Sequence, residues 1–436
     1  MPAGWTTATP DGVAVQTETV MENPRSGKPL DDGGRRRLTW TLVAGVGLGS
    51  TGYIAAVTVA TLVAVELAGS TGWAGLPGAV IVLGSASGST LLSALMARRG
   101  RRIGLVAGYL LGATGALVAA TALVTRSFPL FLVGTFLMGF ANSANQLSRY
   151  TAADMVPIAR RASAIGLVVW GATVGAVLGP NLVTIAGGTA TALGFPLLAG
   201  AYGLLVLFVG AAGLLTLAAL RPDPSTLAAE PEPRAPRRAG DPTPTRALLQ
   251  RPTILLSIVA LIVGQVVMTL IMTMTPLHMT EHGHGVEVVG FVLSAHTFGM
   301  FALSPLSGRL TDRVGSPRTI LAGMATLATS AVLAALAPPE GEALLFLALF
   351  LLGFGWNLGF VAGSAMLAEG LDLRERMRME GAADTLIWSS AAAASLTSGV
   401  IVAWAGFAAL GIVALGLIAA PTLLLLGRRR PAAHPA

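Results

Sequence analysis

Two sets of six apolar stretches recur along this chain of 436 residues, and each is long enough to cross a membrane as a helix. About 20 apolar residues in a helix span the roughly 30 Å hydrocarbon core of a bilayer. The predicted spans are residues 39–67, 73–97, 103–125, 129–151, 162–186, 194–220, 253–276, 286–308, 317–337, 342–369, 381–405 and 407–427. This pattern predicts an all-α membrane protein with twelve transmembrane helices in two similar six-helix bundles.

Composition excludes an ordinary soluble domain, because 53% of the residues are hydrophobic and only 11% are charged, against roughly 25% in soluble domains. The chain has no cysteine, which excludes disulfides and thiolate metal ligands. The predicted organisation is a disordered cytoplasmic tail (1–38), a first bundle (39–220), a cytoplasmic linker (221–252), a second bundle (253–427) and a cytoplasmic tail (428–436). The first tail lacks the short apolar core of a signal peptide.

The basic residues indicate the orientation of the chain. All but two of the 28 Lys and Arg residues lie in segments that share one side of the membrane if residues 1–38 are cytoplasmic. Arg126 lies in a predicted outside loop and Arg149 lies inside a span. This positive-inside bias places both termini in the cytoplasm and predicts a multi-pass protein of the plasma membrane. It also explains the net charge of +7 without nucleic acid as a partner.

A short motif occurs twice, once after the second span and once after the eighth. The second copy, from Gly308 to Arg318, carries Gly308, Asp312, Arg313, Gly315 and Arg318. It resembles the loop signature of the major facilitator superfamily, and the resemblance covers residues 39–427. It implies a transporter with a cavity between two pseudo-symmetric bundles.

The first copy keeps Arg98, Gly100, Arg101 and Arg102 but has Ala97 where that superfamily usually has Asp. Such loops act as gating latches when Arg pairs with an acid at a neighbouring helix end. Asp154 and Glu369 are the candidate partners. The alternative is that these arginines only enforce topology.

The fifth predicted span carries Gly171, Gly175, Gly179 and Pro180. Glycine at every fourth position lets helices approach closely. The pattern resembles the glycine-rich motif of antiporters and exporters in the same superfamily. Plain helix packing explains the pattern equally well.

Soft metal ligands are concentrated in the seventh and eighth spans. Met268 and Met272 form one i, i+4 pair, and His296 and Met300 form another, so each pair shares a helix face. Thioether and imidazole ligands suit Cu(I). These four residues, with Met274 as a fifth, resemble the Met/His pattern of CcoA-type copper importers. Related transporters are associated with riboflavin, so the resemblance leaves the cargo open.

Further candidate residues follow from depth and polarity. His278, His282 and His284 lie near the outer end of the seventh span, where they could collect a metal ion. The polar residues that could line a cavity are Asn142, Asn145, Gln146, Gln265, Asn357 and Asp384, with Trp356 and Trp388 as stacking surfaces. Their alternative role is hydrogen bonding between helices. For Arg149 we expect a pair with Asp154 or a position at the interface, and the alternative is that it binds the cargo.

Proton coupling requires a group that titrates as the cavity changes face. His296, Glu66 and Asp384 are the candidates, and His296 has the most suitable depth and imidazole chemistry. Glu66 lies near the outer end of the first span, where it could simply be solvated.

Nothing in the sequence supports an enzyme or a cofactor, because it contains no phosphate-binding GxxxxGK[ST] loop and no soluble domain. We therefore expect a monomeric secondary carrier with the lipid bilayer and a small-molecule or metal-ion cargo as partners. Three cargo hypotheses remain: copper uptake, proton-coupled export of small molecules or drugs, and import of an organic nutrient such as riboflavin. A membrane scaffold or receptor is the non-transport alternative, disfavoured by the buried polar residues.

Overall fold

The structure is a computed structural model, and it describes residues 31–70, 73–227, 244–338, 342–369 and 371–427. The predicted N-terminal tail up to residue 30, most of the linker and the C-terminal tail 428–436 lie outside the described residues. In the described part of the chain all regular structure is helical.

Fourteen α-helices follow one another in these ranges. They are α1 (Asp32–Ala68), α2 (Leu76–Arg99), α3 (Arg101–Thr125), α4 (Phe128–Asp154), α5 (Arg161–Ala192), α6 (Ala199–Ala219), α7 (Thr245–Leu249), α8 (Pro252–Glu281), α9 (Val286–Phe301), α10 (Ser304–Val314), α11 (Ser316–Leu336), α12 (Glu342–Leu367), α13 (Leu373–Ala405) and α14 (Ala408–Gly427). Eleven segments are long and apolar enough to cross a membrane, and α9 with α10 counts as one of them. Helix α4 is not among the eleven, since its second half carries amides and an arginine.

Local sequence explains several helix ends. Asp31 caps α1 by accepting a hydrogen bond from the Gly34 backbone, and Asp372 forms a capping box with Glu375 at the start of α13. Gly100 and Gly315 separate α2 from α3 and α10 from α11, with φ of 94° and 89°. Only glycine adopts such angles without strain, which explains the glycine in both copies of the repeated loop.

Two predicted boundaries differ from the helix ends in the structure, and one predicted span is interrupted. Helix α1 begins at Asp32, so residues 32–38 belong to a helix and not to the tail. Helix α13 begins at Leu373, two turns before the predicted start, because Asp372 caps it there. The predicted span 286–308 is interrupted between Phe301 and Ser304. Proline lies at the second position of α10 and cannot donate a backbone hydrogen bond, which favours a helix start at that point.

The described ends of the linker pack onto the bundle. Leu248 on α7 is fully buried in the same apolar cluster as Leu38 and Ile254. Asp223, just after α6, accepts hydrogen bonds from the backbone N–H groups of Arg101 and Arg102 at 3.1 and 3.0 Å. This carboxylate therefore caps the N-terminus of α3 from another element.

Two extensive apolar cores, one centred on α1–α6 and the other on α8–α14, hold the molecule together. They meet along two helix pairs, α2 with α13 and α5 with α10. At the first seam the hydroxyl groups of Thr90 and Thr385 lie 2.8 Å apart. At the second, a side chain on Gly166 or Gly308 would overlap the facing backbone. We call the end of the bundle with these seams and the repeated loops the basic end.

Candidate substrate cavity

A cavity of about 700 Å³ lies between the two sets of helices. Gly75 and Gly78 near the start of α2, and Ser395 and Leu396 late in α13, line it far from the basic end. Its volume lies within the roughly 300–1,000 Å³ typical of small-molecule sites. Since the helices that contribute these residues converge toward the basic end, the cavity extends away from that end.

Aromatic and thioether side chains form the wall contributed by the second half. Trp356 stacks on Phe360 with ring centroids 4.4 Å apart, and Phe301 packs edge-on against Trp356 at 6.1 Å. Trp388 also lines the cavity, as do three methionines, Met268, Met272 and Met300. Such a wall favours a flat, polarisable ligand.

The facing wall is largely aliphatic and carries three amide side chains, Asn142, Asn145 and Gln146. Asn142 donates to the Ser85 hydroxyl at 3.2 Å, and Asn145 accepts from the Tyr109 hydroxyl at 3.0 Å. Gln146 lines the cavity beside them. These partners fix the amides in one orientation, so that each keeps hydrogen-bonding capacity for a ligand.

Gln265 adds a polar group to the aromatic wall. It accepts a hydrogen bond from the indole N–H of Trp356 at 3.0 Å and donates to Thr269 at 3.3 Å. Gln265 therefore holds the Trp356 ring in place while facing the cavity itself.

The bottom of the cavity is closed by an ion pair that the sequence analysis missed. Arg149 on α4 donates to Asp384 on α13 at 2.6 Å, and both side chains are buried. The predicted pairing of Arg149 with Asp154 is wrong, because Asp154 lies further toward the basic end and has other partners. The pair joins the two halves directly beneath the cargo space.

A second charged layer lies between this pair and the basic end. Asp154 accepts from Arg101 at 2.8 Å and from Arg376 at 2.6 Å, and Arg101 also donates to Glu380 at 2.7 Å. We call these four residues the buried quartet. Its two cations and two anions balance, and it ties α3 and α4 to α13. The predicted contact between the first loop and Asp154 is present. Arg376 and Glu380 were not predicted as partners, because the eleventh span was predicted to begin only at residue 381, after both of them.

The second copy of the loop makes a different contact across the halves. Asp312 accepts hydrogen bonds from the backbone N–H groups of Ala162 and Ser163 at 3.1 and 3.0 Å, which caps α5. Arg313 is exposed, and Arg318 donates to the Val314 carbonyl on the neighbouring helix end. Glu369 accepts from the Ser316 hydroxyl at 3.4 Å. In this copy it is therefore the aspartate, and not Arg313 or Arg318, that makes these hydrogen bonds between the halves.

The predicted Met/His path is not assembled. Met268, Met272 and Met300 line the cavity, but His296 and Met274 do not. His296 is fully buried, with Nδ1 3.0 Å from the Leu349 carbonyl of α12. Its ring therefore fastens α9 to α12, although Met300 lies only one turn away. Sequence spacing could not separate these two environments, because both lie on buried faces.

The outer histidines also lack a common site. His278 stacks on Phe407 with centroids 4.2 Å apart and lies 4.4 Å from the ring of His282. His284 pairs instead with Glu342 at 3.1 Å. Within the described ranges, no three His, Cys, Asp or Glu side chains are grouped so that they could hold a metal ion.

Three other groups of predicted functional residues lie outside the cavity, either packed between helices or exposed. Gly171, Gly175 and Gly179 face α1, where any added side chain would press on Val43, Ser50 or Thr51, while Pro180 is exposed on the same helix. Asn357 lies outside the cavity and donates to the Met300 carbonyl and the Ser304 hydroxyl, each at 2.6 Å, where α9 ends and α10 begins. Glu66 is exposed.

Two pseudo-equivalent sets of long apolar helices around a central cavity define a polytopic membrane carrier. The family model of the Major Facilitator Superfamily matches residues 39–290 and 267–436. The chain belongs to this superfamily, whose members here are transporters and not enzymes.

Individual relatives agree with this assignment. The Bacillus subtilis (strain 168) protein "Uncharacterized MFS-type transporter YdeG" is 36% identical over 367 residues, which cover 84% of this chain and 85% of the relative. The riboflavin transporter RfnT of Brucella anthropi is 29% identical over 403 residues, covering 91% and 96%.

Solved structures share the fold. The human organic anion transporter MFSD10 (TETRAN) superposes with a TM-score of 0.71 at 18% identity, covering 90% of this chain and 99% of that one. The transporter FucP in the outward conformation gives 0.69 at 14%, covering 90% and 99%.

Proposed function

We propose that this protein is a secondary carrier that moves a flat, uncharged heteroaromatic nutrient of the flavin class across the plasma membrane. The observation that carries the proposal is the two-sided cavity, in which an aromatic and thioether wall lies opposite a largely aliphatic wall that carries three amides. The ion pair that lines the cavity, Arg149 with Asp384, carries no net charge. A flavin ring system offers a polarisable face for stacking and a polar edge for amide hydrogen bonds.

The similarity to a riboflavin transporter over nine-tenths of both chains supports the same cargo class. The chemistry of the cavity argues against a strongly charged cargo, because the charges of Arg149 and Asp384 already compensate each other. It also disfavours copper, since His296, one of the four ligands of the copper hypothesis, is fully buried and does not line the cavity. The glycines of α5 give no separate support to export, because they pack against α1.

We further propose twelve spans, with α4 as the one of low hydropathy and α9 with α10 as one interrupted span. With the basic end in the cytoplasm, as the distribution of Lys and Arg favours, this conformation opens its cavity to the outside. The Arg149–Asp384 pair and the buried quartet then close the cytoplasmic path. Alternating access requires that both layers separate when the cavity opens inward.

Riboflavin binding to the purified protein tests the cargo class, because stacking on indole quenches flavin fluorescence. We expect saturable quenching in the wild type, a loss of affinity in Trp356→Ala, and accumulation of riboflavin in vesicles that contain the wild-type protein. The matched control is Trp404→Ala, since Trp404 is 90% exposed on α13 and lies outside the cavity. Absence of both saturable quenching and accumulation in the wild type would rule out the flavin assignment.

A further inference from the structure

A second cavity of about 540 Å³ lies at the side of the first half, between α3, α5 and α6. Its lining comes from the last two turns of α3, the C-terminal part of α5, the loop that follows and the first turns of α6. These segments lie at the end of the bundle opposite the basic end, because α3 begins at the repeated loop. Among the described residues, none lines both this space and the central cavity. We call this separate space the side crevice.

The side crevice exists because α6 packs on both of its neighbours, whereas α3 and α5 hardly touch each other along their described lengths. Glycine shapes its floor. At Gly200 an added side-chain carbon would overlap the Ala186 carbonyl, so α5 and α6 are in direct contact there. At Gly203, one turn further along α6, nothing lies within 4 Å of such a carbon. The missing side chain of Gly203 therefore leaves the space open.

The lining of the side crevice is apolar and faces the bilayer. Leu117, Ile185 and Leu207, one from each helix, are all more than half exposed. Thr121 and Thr189 carry the only polar side chains among the described residues of the lining. Their hydroxyl groups donate to the carbonyls of Leu117 and Ile185 in their own helices, at 2.9 and 3.0 Å. Such a surface offers dispersion contacts and no free hydrogen-bond donor, which suits a hydrocarbon chain.

A cation lies just beyond the end of the side crevice. Arg126 follows α3, two residues after Val124 of the crevice wall, and it is exposed. It is the one described residue other than glycine with a positive φ, 53°, a conformation that is costly for a residue with a Cβ atom. Among the described residues its guanidinium has no acidic or hydrogen-bonding partner. Arg126 also departs from the positive-inside pattern, so neither topology nor a contact within the described chain accounts for it.

We propose that the side crevice binds one acyl chain of a glycerophospholipid and that Arg126 binds the phosphate of the same lipid. From Val124 to Leu117 the crevice runs about 10 Å along α3, in the direction that a lipid chain takes from the interface into the bilayer. Guanidinium and phosphate form charge-assisted hydrogen bonds. Charge complementarity favours a phospholipid over an uncharged lipid or a second copy of the chain, because a phospholipid carries a hydrocarbon chain and an anion side by side.

The bound lipid would fill the gap between α3 and α5 and tie both helices to α6. This inference goes beyond the transport function and does not depend on the cargo.

Lipid retention by the purified protein tests the site. Native mass spectrometry counts the lipids that stay bound after addition of phosphatidylglycerol, or of a diacylglycerol that has the same acyl chains and no phosphate. We expect the wild type to retain one phosphatidylglycerol in preference to diacylglycerol. In Arg126→Gln that preference should fall roughly fivefold, as expected for one arginine near an anionic lipid. Arg126→Lys keeps the charge and should keep most of the preference.

Gly203→Leu fills the side crevice where the structure leaves room, so we expect it to fold and to lose retention of both lipids. Thr189→Phe fills the same space from α5 and should act in the same way. The matched control is Gly210→Leu, because Gly210 lies on the same helix outside the crevice and nothing lies within 4 Å of a side chain added there. Added phosphatidylglycerol should raise the unfolding midpoint of the wild type and of Gly210→Leu, but not of Gly203→Leu, since a ligand of the folded state stabilises it.

Equal retention by the wild type and Gly203→Leu would overturn the proposal, as would an unchanged preference for phosphatidylglycerol in Arg126→Gln. A dimer that is present in the wild type and lost in Gly203→Leu would overturn it in favour of a second copy of the chain as the occupant. A wild type that carries no riboflavin leaves each of these outcomes unaffected, so this proposal and the cargo assignment fail separately.

Discussion

One terminal nitrogen of Arg376 on α13 lies 2.6 Å from a carboxylate oxygen of Asp154 on α4, with Asp154 fully buried and Arg376 nearly so. This contact joins the two halves of the carrier at the closed end of the cavity. Arg101 reaches the other oxygen of the same carboxylate. Asp154 is therefore shared by a cation from each half, so that removal of either one leaves the carboxylate partly uncompensated.

We expect Arg376→Ala to destabilise this conformation by about 3–5 kcal/mol, since breaking a buried pair leaves an unpaired charge. Thermal unfolding of the purified protein would show a lower midpoint. The chain has no cysteine, so Ser395→Cys places a single thiol on the cavity wall, and its labelling by a membrane-impermeant maleimide would decrease as the basic end opens. Arg374→Ala is the matched control, because Arg374 lies two residues earlier on the same helix and is exposed. Equal effects of the two variants would contradict the assigned role of the quartet.

Asp312→Ala should cost about 1–2 kcal/mol, because two backbone donors at the start of α5 lose their cap. The loss falls on the seam between α5 and α10, so we also expect a weaker preference for the conformation closed at the basic end. Unfolding midpoints check the first effect and Ser395→Cys labelling checks the second. The neighbouring Arg313→Ala changes an exposed residue and should stay within about 0.5 kcal/mol. If Arg313→Ala had the larger effect, the latch would belong to the arginine after all.

Gly308→Leu should prevent α10 from closing on α5. Even the first side-chain carbon at this position would lie 2.5 Å from the Ala162 carbonyl oxygen. We therefore expect transport to be lost and the cavity to become inaccessible to maleimide at Ser395→Cys, while the protein still folds. A matched control is Gly416→Leu, since nothing lies within 4 Å of a side chain added at Gly416 on α14. Normal transport by Gly308→Leu would show that this close approach is dispensable.

His296→Ala separates the copper hypothesis from the present proposal. We expect a loss of stability of about 1–3 kcal/mol, from the missing hydrogen bond to α12 and the space left in the core. Riboflavin affinity should be unchanged, because His296 does not line the cavity. Isothermal titration with riboflavin and with Cu(I) checks both ligands. Tight Cu(I) binding by the wild type that disappears in His296→Ala would restore the copper reading.

Much of the architecture follows from one-dimensional patterns. Long apolar stretches predicted the helices, because the backbone must satisfy its own hydrogen bonds in a membrane. The repeated loop with its glycines predicted the superfamily, which the family match confirmed. Asn142, Asn145, Gln146, Gln265, Trp356, Trp388 and Asp384 were proposed as cavity residues from their polarity or aromaticity and line the cavity, whereas Asn357, proposed with them, does not.

What the sequence could not determine is which buried residues face each other across the halves. Asp384 and Arg149 are 235 positions apart in the chain, and nothing in their local sequence connects them. His296 and Met300 share a helix face by spacing, yet one packs on α12 and the other lines the cavity. The period of a helix tells only that a side chain is buried. Whether it meets another helix or the cargo depends on the crossing of α9 over α12, which arises only when the whole bundle packs.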